Sequence, residues 1–174
     1  MIQPSYLALA NIPLIALASS VFLALPGHAD SLVNVSCEQK ASVPTVTATL
    51  SNQQVSQVTS ILSFLPQYFD TNQAVQQCKN TAEKLHNFYS QNRMNYLASD
   101  TVKGKPVICA VERRGLSCDS YNSDILFSLD RSISPSELLY NMLGEDFKGS
   151  KAPSARTVSR IYTDLRPLWW PFPF

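Results

Sequence analysis

The first hydrophobic pattern along the chain is an uncharged run, IPLIALASSVFLALP, at residues 12–26. Residues 27–29 follow with Gly-His-Ala, the small-x-small pattern of a signal-peptidase site. The chain therefore predicts a signal peptide over residues 1–29, and the prolines in this segment favour cleavage over a membrane span. No lysine or arginine precedes the run, so an uncleaved anchor over residues 6–25, about 20 residues long, is the alternative.

Beyond this leader, short segments rich in β-branched residues predict strands. Alternation of apolar and polar positions, as at Ile125, Phe127 and Leu129, predicts that one face of a strand is buried. Lys103-Gly104 predicts a hairpin turn between two of the segments. The predicted strands cover residues 31–37, 43–50, 57–65, 94–99, 105–112 and 125–129.

Two segments have the three- and four-residue spacing of amphipathic helices. The first begins with a capping residue at 70–71, and Cys78 lies within its apolar stripe. The second covers residues 135–143, begins with the capping box Ser-Pro-Ser-Glu at 134–137, and stops at Gly144. The stripe of the first helix consists of Ala74, Val75, Cys78, Ala82, Leu85 and Tyr89.

Strand pairs with tight turns, combined with two or three helices, define the α+β class. We expect an antiparallel sheet of about five or six strands with the helices on one face, and two disulfides. The expected organisation is a signal peptide or anchor over residues 1–29, a disulfide-stabilised α+β domain over 30–150, and a C-terminal extension with an aromatic tail over 151–174. A short helix is expected near residues 153–165 of the extension.

The chain contains four cysteines, at Cys37, Cys78, Cys109 and Cys118, all after the predicted cleavage site. An even number of cysteines in an exported chain indicates disulfides, and three pairings are open. We favour Cys109 with Cys118, because the segment between them can form a hairpin that sets the two opposite each other across a two-residue turn. Cys37 then pairs with Cys78. A three-residue turn with Gly115 in the left-handed region would shift this register by one residue.

The same residues do not have the spacing of a metal or nucleophile site. There is no C-x-x-C, and His86, the one histidine after the leader, lies two helical turns from Cys78. Asp119, Asn122 and Asp124 could offer oxygens to Ca²⁺, but the twelve-residue loop and its bidentate glutamate are missing. A turn stabilised by these side chains is favoured. We therefore assign no metal and no cofactor.

Composition narrows the classes of partner. The formal net charge is +1 and 16% of residues are charged, so the chain has no basic field that would attract nucleic acid. Apolar residues make up 45%, which is typical of a folded domain and not of a disordered chain.

The C-terminal tail contains both tryptophans and two phenylalanines, Trp169, Trp170, Phe172 and Phe174. Such rings favour a membrane interface or a groove on a partner, and packing back onto the domain is the alternative.

We expect an exported, non-catalytic domain that associates peripherally with a membrane surface or a membrane-protein partner, and we name no small-molecule ligand. The alternative is an extracytoplasmic hydrolase, since glycosidase carboxylates need only the right separation in space. The absence of G-x-S-x-G, H-E-x-x-H and phosphate-binding motifs favours the non-catalytic function.

Residues 37–143 also contain a recognisable frame of motifs. Its parts are Cys37, VPT at 43–45, Cys78 within a helix, YLASDTVKGKPVICAV at 96–111, Cys118, and DILFSL at 124–129 before a proline-capped helix. This frame resembles the cyanobacterial circadian oscillating protein family, and N-Y-L…G-K-P-V-I-C is its most specific part. The resemblance implies peripheral association with a membrane in a cyanobacterium and, by the family's name, rhythmic expression. We therefore expect an exported protein located in the periplasm, in the thylakoid lumen or at a membrane. It brings no catalytic residues to this chain, and the aromatic tail departs from it.

Overall fold

The computed structural model describes residues 32–51, 56–91, 95–129, 133–149 and 160–166. In chain order the elements are β1 (Leu32–Lys40), β2 (Val43–Ser51), β3 (Ser56–Ser63), α1 (Thr71–Ser90), β4 (Tyr96–Val102), β5 (Lys105–Val111), β6 (Ser123–Ser128), α2 (Pro135–Met142) and β7 (Tyr162–Asp164). A single 3-10 turn, Glu145–Phe147, follows α2. The α+β class is confirmed. None of the helices in the described ranges is long and apolar enough to cross a membrane.

The first three strands form an antiparallel sheet in the order β1-β2-β3, which we call sheet A. Its first hairpin closes at Ala41-Ser42, where both residues have positive φ (47° and 69°), as a type I′ turn requires. Val33 and Val35 alternate with polar residues along β1 and are buried. Sheet A therefore presents one apolar face to the core.

The other four strands form sheet B, in the order β6-β5-β4-β7 with antiparallel neighbours throughout. The β4–β5 hairpin closes at Lys103-Gly104, with φ of 51° and 77°, which confirms the predicted turn. Sheet B is covered on both faces. Leu97 and Ile108 belong to the main core, while Ala98 and Cys109, on the opposite face, belong to a second, smaller cluster.

The structure corrects the expected single sheet of five or six strands with helices on one face. The described residues form seven strands in two sheets. Helix α1 packs on β1, β2 and β6, whereas α2 packs on β4 and β5. Tight turns pair strands that follow each other directly, but α1 separates β3 from β4, so no turn joins these two strands in one sheet. Ile61 of β3, Leu85 of α1 and Leu139 of α2 nevertheless lie in one buried cluster, so both sheets share a core.

Helix α1 lies where its sequence pattern predicts. The Asp70 carboxylate accepts a hydrogen bond of 2.8 Å from the backbone N–H of Gln73 and caps the first turn. The buried residues are Ala74, Cys78, Thr81, Ala82 and Leu85, which recur at spacings of three and four. The predicted stripe is therefore the face that packs on the core.

Helix α2 begins at Pro135, as predicted, but the capping box does not form. Ser134 makes no side-chain hydrogen bond to the helix backbone, because its Oγ lies 2.9 Å from Ser136 Oγ instead. After the helix, Gly144 is extended (φ −62°, ψ 153°) and its N–H donates to the carbonyl of Ile61 at 3.0 Å. Gly144 therefore connects the end of α2 to β3 by close backbone approach, not by a left-handed turn.

The short helix expected near residues 153–165 is replaced, in its described part, by strand β7. Tyr162, Thr163 and Asp164 pair with β4, and Leu165 is fully buried in the main core. Tyr162 and Thr163 favour a strand, but a segment of three residues is too short to predict one from sequence, so pairing with the open edge of β4 determines its conformation. Part of the segment that the sequence assigned to an extension thus completes sheet B.

Candidate functional site

Both predicted disulfides are present, with Cα–Cα distances of 5.6 Å. Cys37–Cys78 links β1 to α1, and Cys109–Cys118 links β5 to the loop that follows it. The hairpin proposed for the second pair is wrong, because Cys109 lies opposite Ile125 of β6 in the sheet. Cys118 lies outside the strands and contacts Cys109 within the smaller buried cluster on the outer face of sheet B.

The segment from Glu112 to Asn122, which we call the bridged loop, is held by a dense set of hydrogen bonds. The Ser123 hydroxyl lies 2.9 Å from the carbonyl oxygen of Cys118 and 2.6 Å from that of Ser120. The backbone N–H of Ser117 donates to Ser120 Oγ at 3.1 Å. This serine turn and the disulfide fix the loop at several points, so its backbone is anchored on both sides of residue 121.

Asp100 on β4 connects the bridged loop to the end of the described chain. Its Oδ2 accepts hydrogen bonds from the backbone N–H of Cys118 at 3.0 Å and from Arg160 Nη2 at 2.5 Å. Burial raises the pKa of Asp100, but the hydrogen bonds from Arg160, Cys118 and Thr101 outweigh it, so the pKa lies below its ordinary value. The carboxylate is therefore charged, and it holds two segments in place.

Tyr121 lies at the tip of the bridged loop and is fully exposed, at 101%. Beside it is a small pocket of about 230 Å³, which we call the Tyr121 pocket. Its lining includes Phe88, Ala110, Glu112, Tyr121, Asn122 and Asp124. The pocket thus combines two aromatic rings with two carboxylates and an amide.

The charges of the Tyr121 pocket are partly compensated. Asn122 Nδ2 donates to Glu112 Oε2 at 3.3 Å, and Lys84 Nζ lies 3.6 Å from Asp124 Oδ1. The Lys84 and Asp124 side chains are 41% and 47% exposed, so solvent screens this ion pair. Glu112 and Asn122 are exposed, so they can form hydrogen bonds with a bound molecule.

A second concave region lies where sheet A and sheet B meet. This seam cleft has a volume of about 530 Å³ and is lined by residues of β3, β7 and the 3-10 turn, including Thr59, Asp146 and Tyr162. Asp164 also lines it, but its carboxylate is held by Arg166, whose guanidinium lies 5.0 Å from the Tyr96 ring centre. The hydrogen bond from Arg166 lowers the pKa of Asp164, and burial opposes it.

The lowered pKa values bear on the hydrolase alternative. A carboxylic acid that protonates a leaving group needs a raised pKa, as in glycosidases. In the described residues, the carboxylates with clearly shifted pKa values, Asp100 and Asp164, are both shifted downward by arginine partners. They have the environment of structural ion pairs and not of general acids.

The other predicted site residues have different outcomes. Trp169, Trp170, Phe172 and Phe174 lie outside the described residues. Asp119, weighed as a calcium ligand, contacts the Ser117 hydroxyl, and in the described ranges no three His, Cys, Asp or Glu side chains are grouped as a metal site would require. The turn interpretation of this segment fits the observed serine hydrogen bonds.

Sequence reasoning missed three members of the Tyr121 pocket, namely Phe88, Glu112 and Tyr121. Phe88 is on α1 and Glu112 follows β5, so no local pattern brings them together. A tyrosine between a serine and an asparagine, three residues after a bridged cysteine, is the one available signal. This pattern predicts a tyrosine within a polar turn, where few apolar neighbours are available to bury its ring.

The architecture is that of a small α+β domain stabilised by two disulfides. The sequence matches the family model of circadian oscillating protein COP23 over residues 35–169, more than half of the chain, and the chain belongs to this family. This confirms the resemblance carried by residues 37–143 and extends it through β7. No curated protein and no solved structure matches the chain.

Proposed function

We propose that this chain is an exported, non-catalytic domain that associates peripherally with a membrane surface through its aromatic tail. The observation that carries the proposal is the attachment of the segment just before the tail. Leu165 is fully buried, and its N–H donates to the Asn95 carbonyl at 2.9 Å. Only two residues, 166 and 167, separate the tail from a core side chain, so a membrane contact made by the tail would hold the folded domain close to the surface.

The composition of the tail fits an interface and not a membrane span. Residues 168–174, LWWPFPF, carry four aromatic rings and no charge. Tryptophan is enriched at the headgroup level of bilayers, where its ring is buried and its N–H remains hydrated. Seven residues are far fewer than the roughly 20 that a spanning helix needs. The tail can therefore hold the domain at the surface without crossing the bilayer.

Export is supported by two independent features. The leader over residues 1–29 has an apolar run and a small-x-small site, and all four cysteines of the chain are oxidised in pairs. Disulfides persist in oxidising compartments. We place the mature domain in the periplasm, in the thylakoid lumen or at a membrane facing one of them.

Vesicle co-sedimentation of the chain from Asp30 to Phe174 tests the proposal. We expect binding to phosphatidylcholine vesicles that changes little with added anionic lipid or salt, because the full chain has a net charge of +1 and the tail has none. Trp169→Ser with Trp170→Ser should abolish most of it. Tyr121→Ala, which removes an exposed aromatic ring outside the tail sequence, is the matched control and should bind normally.

Two results would decide against the membrane surface. Equal sedimentation of the chain and its double tryptophan variant would show that the tail does not anchor the domain. Absence of vesicle binding, combined with tail-dependent binding to membranes that retain their proteins, would point to a membrane-protein partner instead.

A further inference from the structure

The bridged loop presents an aromatic ring to solvent from a backbone that is anchored on both sides of it. Tyr121 is 101% exposed, compared with 49% for Val58 and 37% for Ile125, the other large apolar side chains exposed in the described residues. A flexible loop could fold such a ring against the surface, but the disulfide and the hydrogen bond from Cys118 N–H to Asp100 anchor the backbone of this loop three residues before Tyr121. The ring face is therefore available to a ligand without reorganisation of the loop.

The groups beside the ring are planar hydrogen-bonding groups. Glu112 offers two acceptor oxygens, and Asn122 offers both a carbonyl oxygen and an NH₂. Asp124 adds a second carboxylate, and the Phe88 ring adds an apolar wall. Such groups suit a ligand whose hydroxyls donate and accept at adjacent positions around an apolar ring.

Charge excludes other ligand classes. Glu112 and Asp124 place two carboxylates in the pocket, which disfavours phosphates and other anions. The Lys84 ammonium, 3.6 Å from Asp124, disfavours a metal cation at that carboxylate. A neutral ligand with many hydroxyl groups is compatible with the two carboxylates and with the nearby ammonium.

The volume of the pocket limits the size of the ligand. The pocket, at about 230 Å³, is smaller than the roughly 300–1,000 Å³ that encloses a drug-sized molecule. It has room for a single ring, with the remainder of a chain lying outside across Tyr121. From the exposed ring, the anchored loop and the carboxylate and amide groups that line the pocket, we infer that the Tyr121 pocket binds one unit of a neutral saccharide, with Tyr121 as its stacking platform.

Titration of the ¹⁵N-labelled chain from Asp30 to Phe174 tests this site independently of the tail. The probes are glucose, galactose, mannose and N-acetylglucosamine, each added into the tens of millimolar. We expect at least one to shift the amide signals of residues 121–124 with a Kd of about 1 mM, as befits a single-ring ligand. Vesicles are absent, so membrane binding does not influence the result.

Variants separate the roles of the ring and the carboxylate. Tyr121→Ala should weaken binding at least about tenfold and Tyr121→Phe should retain it, because the ring face and not the hydroxyl makes the contact. Glu112→Gln should weaken binding as well. Arg114→Gln, in the same loop but outside the pocket lining, is the matched control and should change the Kd by less than about twofold. All three positions, Glu112, Arg114 and Tyr121, are exposed, so the four variants should remain folded.

Two outcomes would overturn the inference. The first is the absence of shifts at residues 121–124 with every probe while the spectrum remains that of a folded protein. The second is sugar binding that Tyr121→Ala leaves unchanged, which would place the sugar elsewhere on the domain.

Discussion

Gly144 shows how one residue can have a role that its sequence position does not reveal. Its place after α2 predicts a helix stop, but its φ of −62° is open to any residue. A Cβ added there would lie 1.9 Å from the Ser60 carbonyl oxygen and 2.8 Å from the Ser60 carbonyl carbon. Glycine is required because two backbones meet here, and a backbone cannot move aside as a side chain can.

We therefore expect Gly144→Ala to destabilise the fold by about 1–3 kcal/mol, the range for overpacking at a closed contact. Urea unfolding measures this change directly. Gly149→Ala is the control, because a Cβ at Gly149 meets nothing within 4 Å, and it should stay within about 0.5 kcal/mol of the parent. Equal stability of both variants would show that α2 and β3 separate easily at this point.

At Asp100 the charge matters as well as the shape. Asp100→Asn should lower the free energy of unfolding by about 1–3 kcal/mol at about pH 7, because a neutral amide replaces the charged carboxylate that accepts hydrogen bonds from Arg160 and Cys118. The folded pKa of Asp100 is lowered, so this contribution is present above the unfolded value of about 3.9 and is lost as the pH falls through the folded pKa. The difference between parent and variant, measured by urea unfolding, should shrink towards about pH 2. A constant difference, or one shared by the exposed control Asp146→Asn, would contradict this.

At the scale of elements, local signals predicted what local interactions determine. The cap at Asp70, the stripe around Cys78 and the Lys103-Gly104 turn are each specified within a few residues, and each is present. Strand β7 and the bridged loop are not specified by neighbouring residues in this way. β7 exists because β4 offers an open edge, and Cys118 is placed by Asp100, 18 residues earlier. Such non-local partners leave no periodic signal in the sequence.

The two disulfides should differ in effect because they close loops of different length. The chain-entropy model gives about 4 kcal/mol for the separation of 41 residues and about 2.5 kcal/mol for that of nine. Cys37→Ala with Cys78→Ala should therefore lower global stability more than Cys109→Ala with Cys118→Ala. The second pair should instead accelerate hydrogen exchange in the bridged loop. Slow exchange in that loop without its disulfide would show that the serine turn alone fixes it.

At the scale of the whole molecule, the α+β class and the disulfide pairing could be predicted, but the division into two sheets could not. Turn signals specify which strands form hairpins, whereas the choice of sheet depends on how α1 packs between them. The candidate site was even harder to predict from the sequence. Its lining is drawn from α1, β5, the bridged loop and the start of β6, and the exposure of Tyr121 is a property of the folded surface. The cysteine count and the polarity of the loop predict that the loop is rigid, but they do not predict which side chains it exposes.

The shared core also predicts where the folded domain ends. A chain that stops at Gly149 lacks Arg160, β7 and Leu165, and the loss of the fully buried Leu165 side chain alone should cost about 2–5 kcal/mol. A chain that stops at Arg166 keeps all three and loses only the segment with the aromatic tail. Its free energy of unfolding in urea should lie within about 0.5 kcal/mol of the parent. If the chain ending at Arg166 were as unstable as the one ending at Gly149, the tail would belong to the core and could not also serve as a membrane contact.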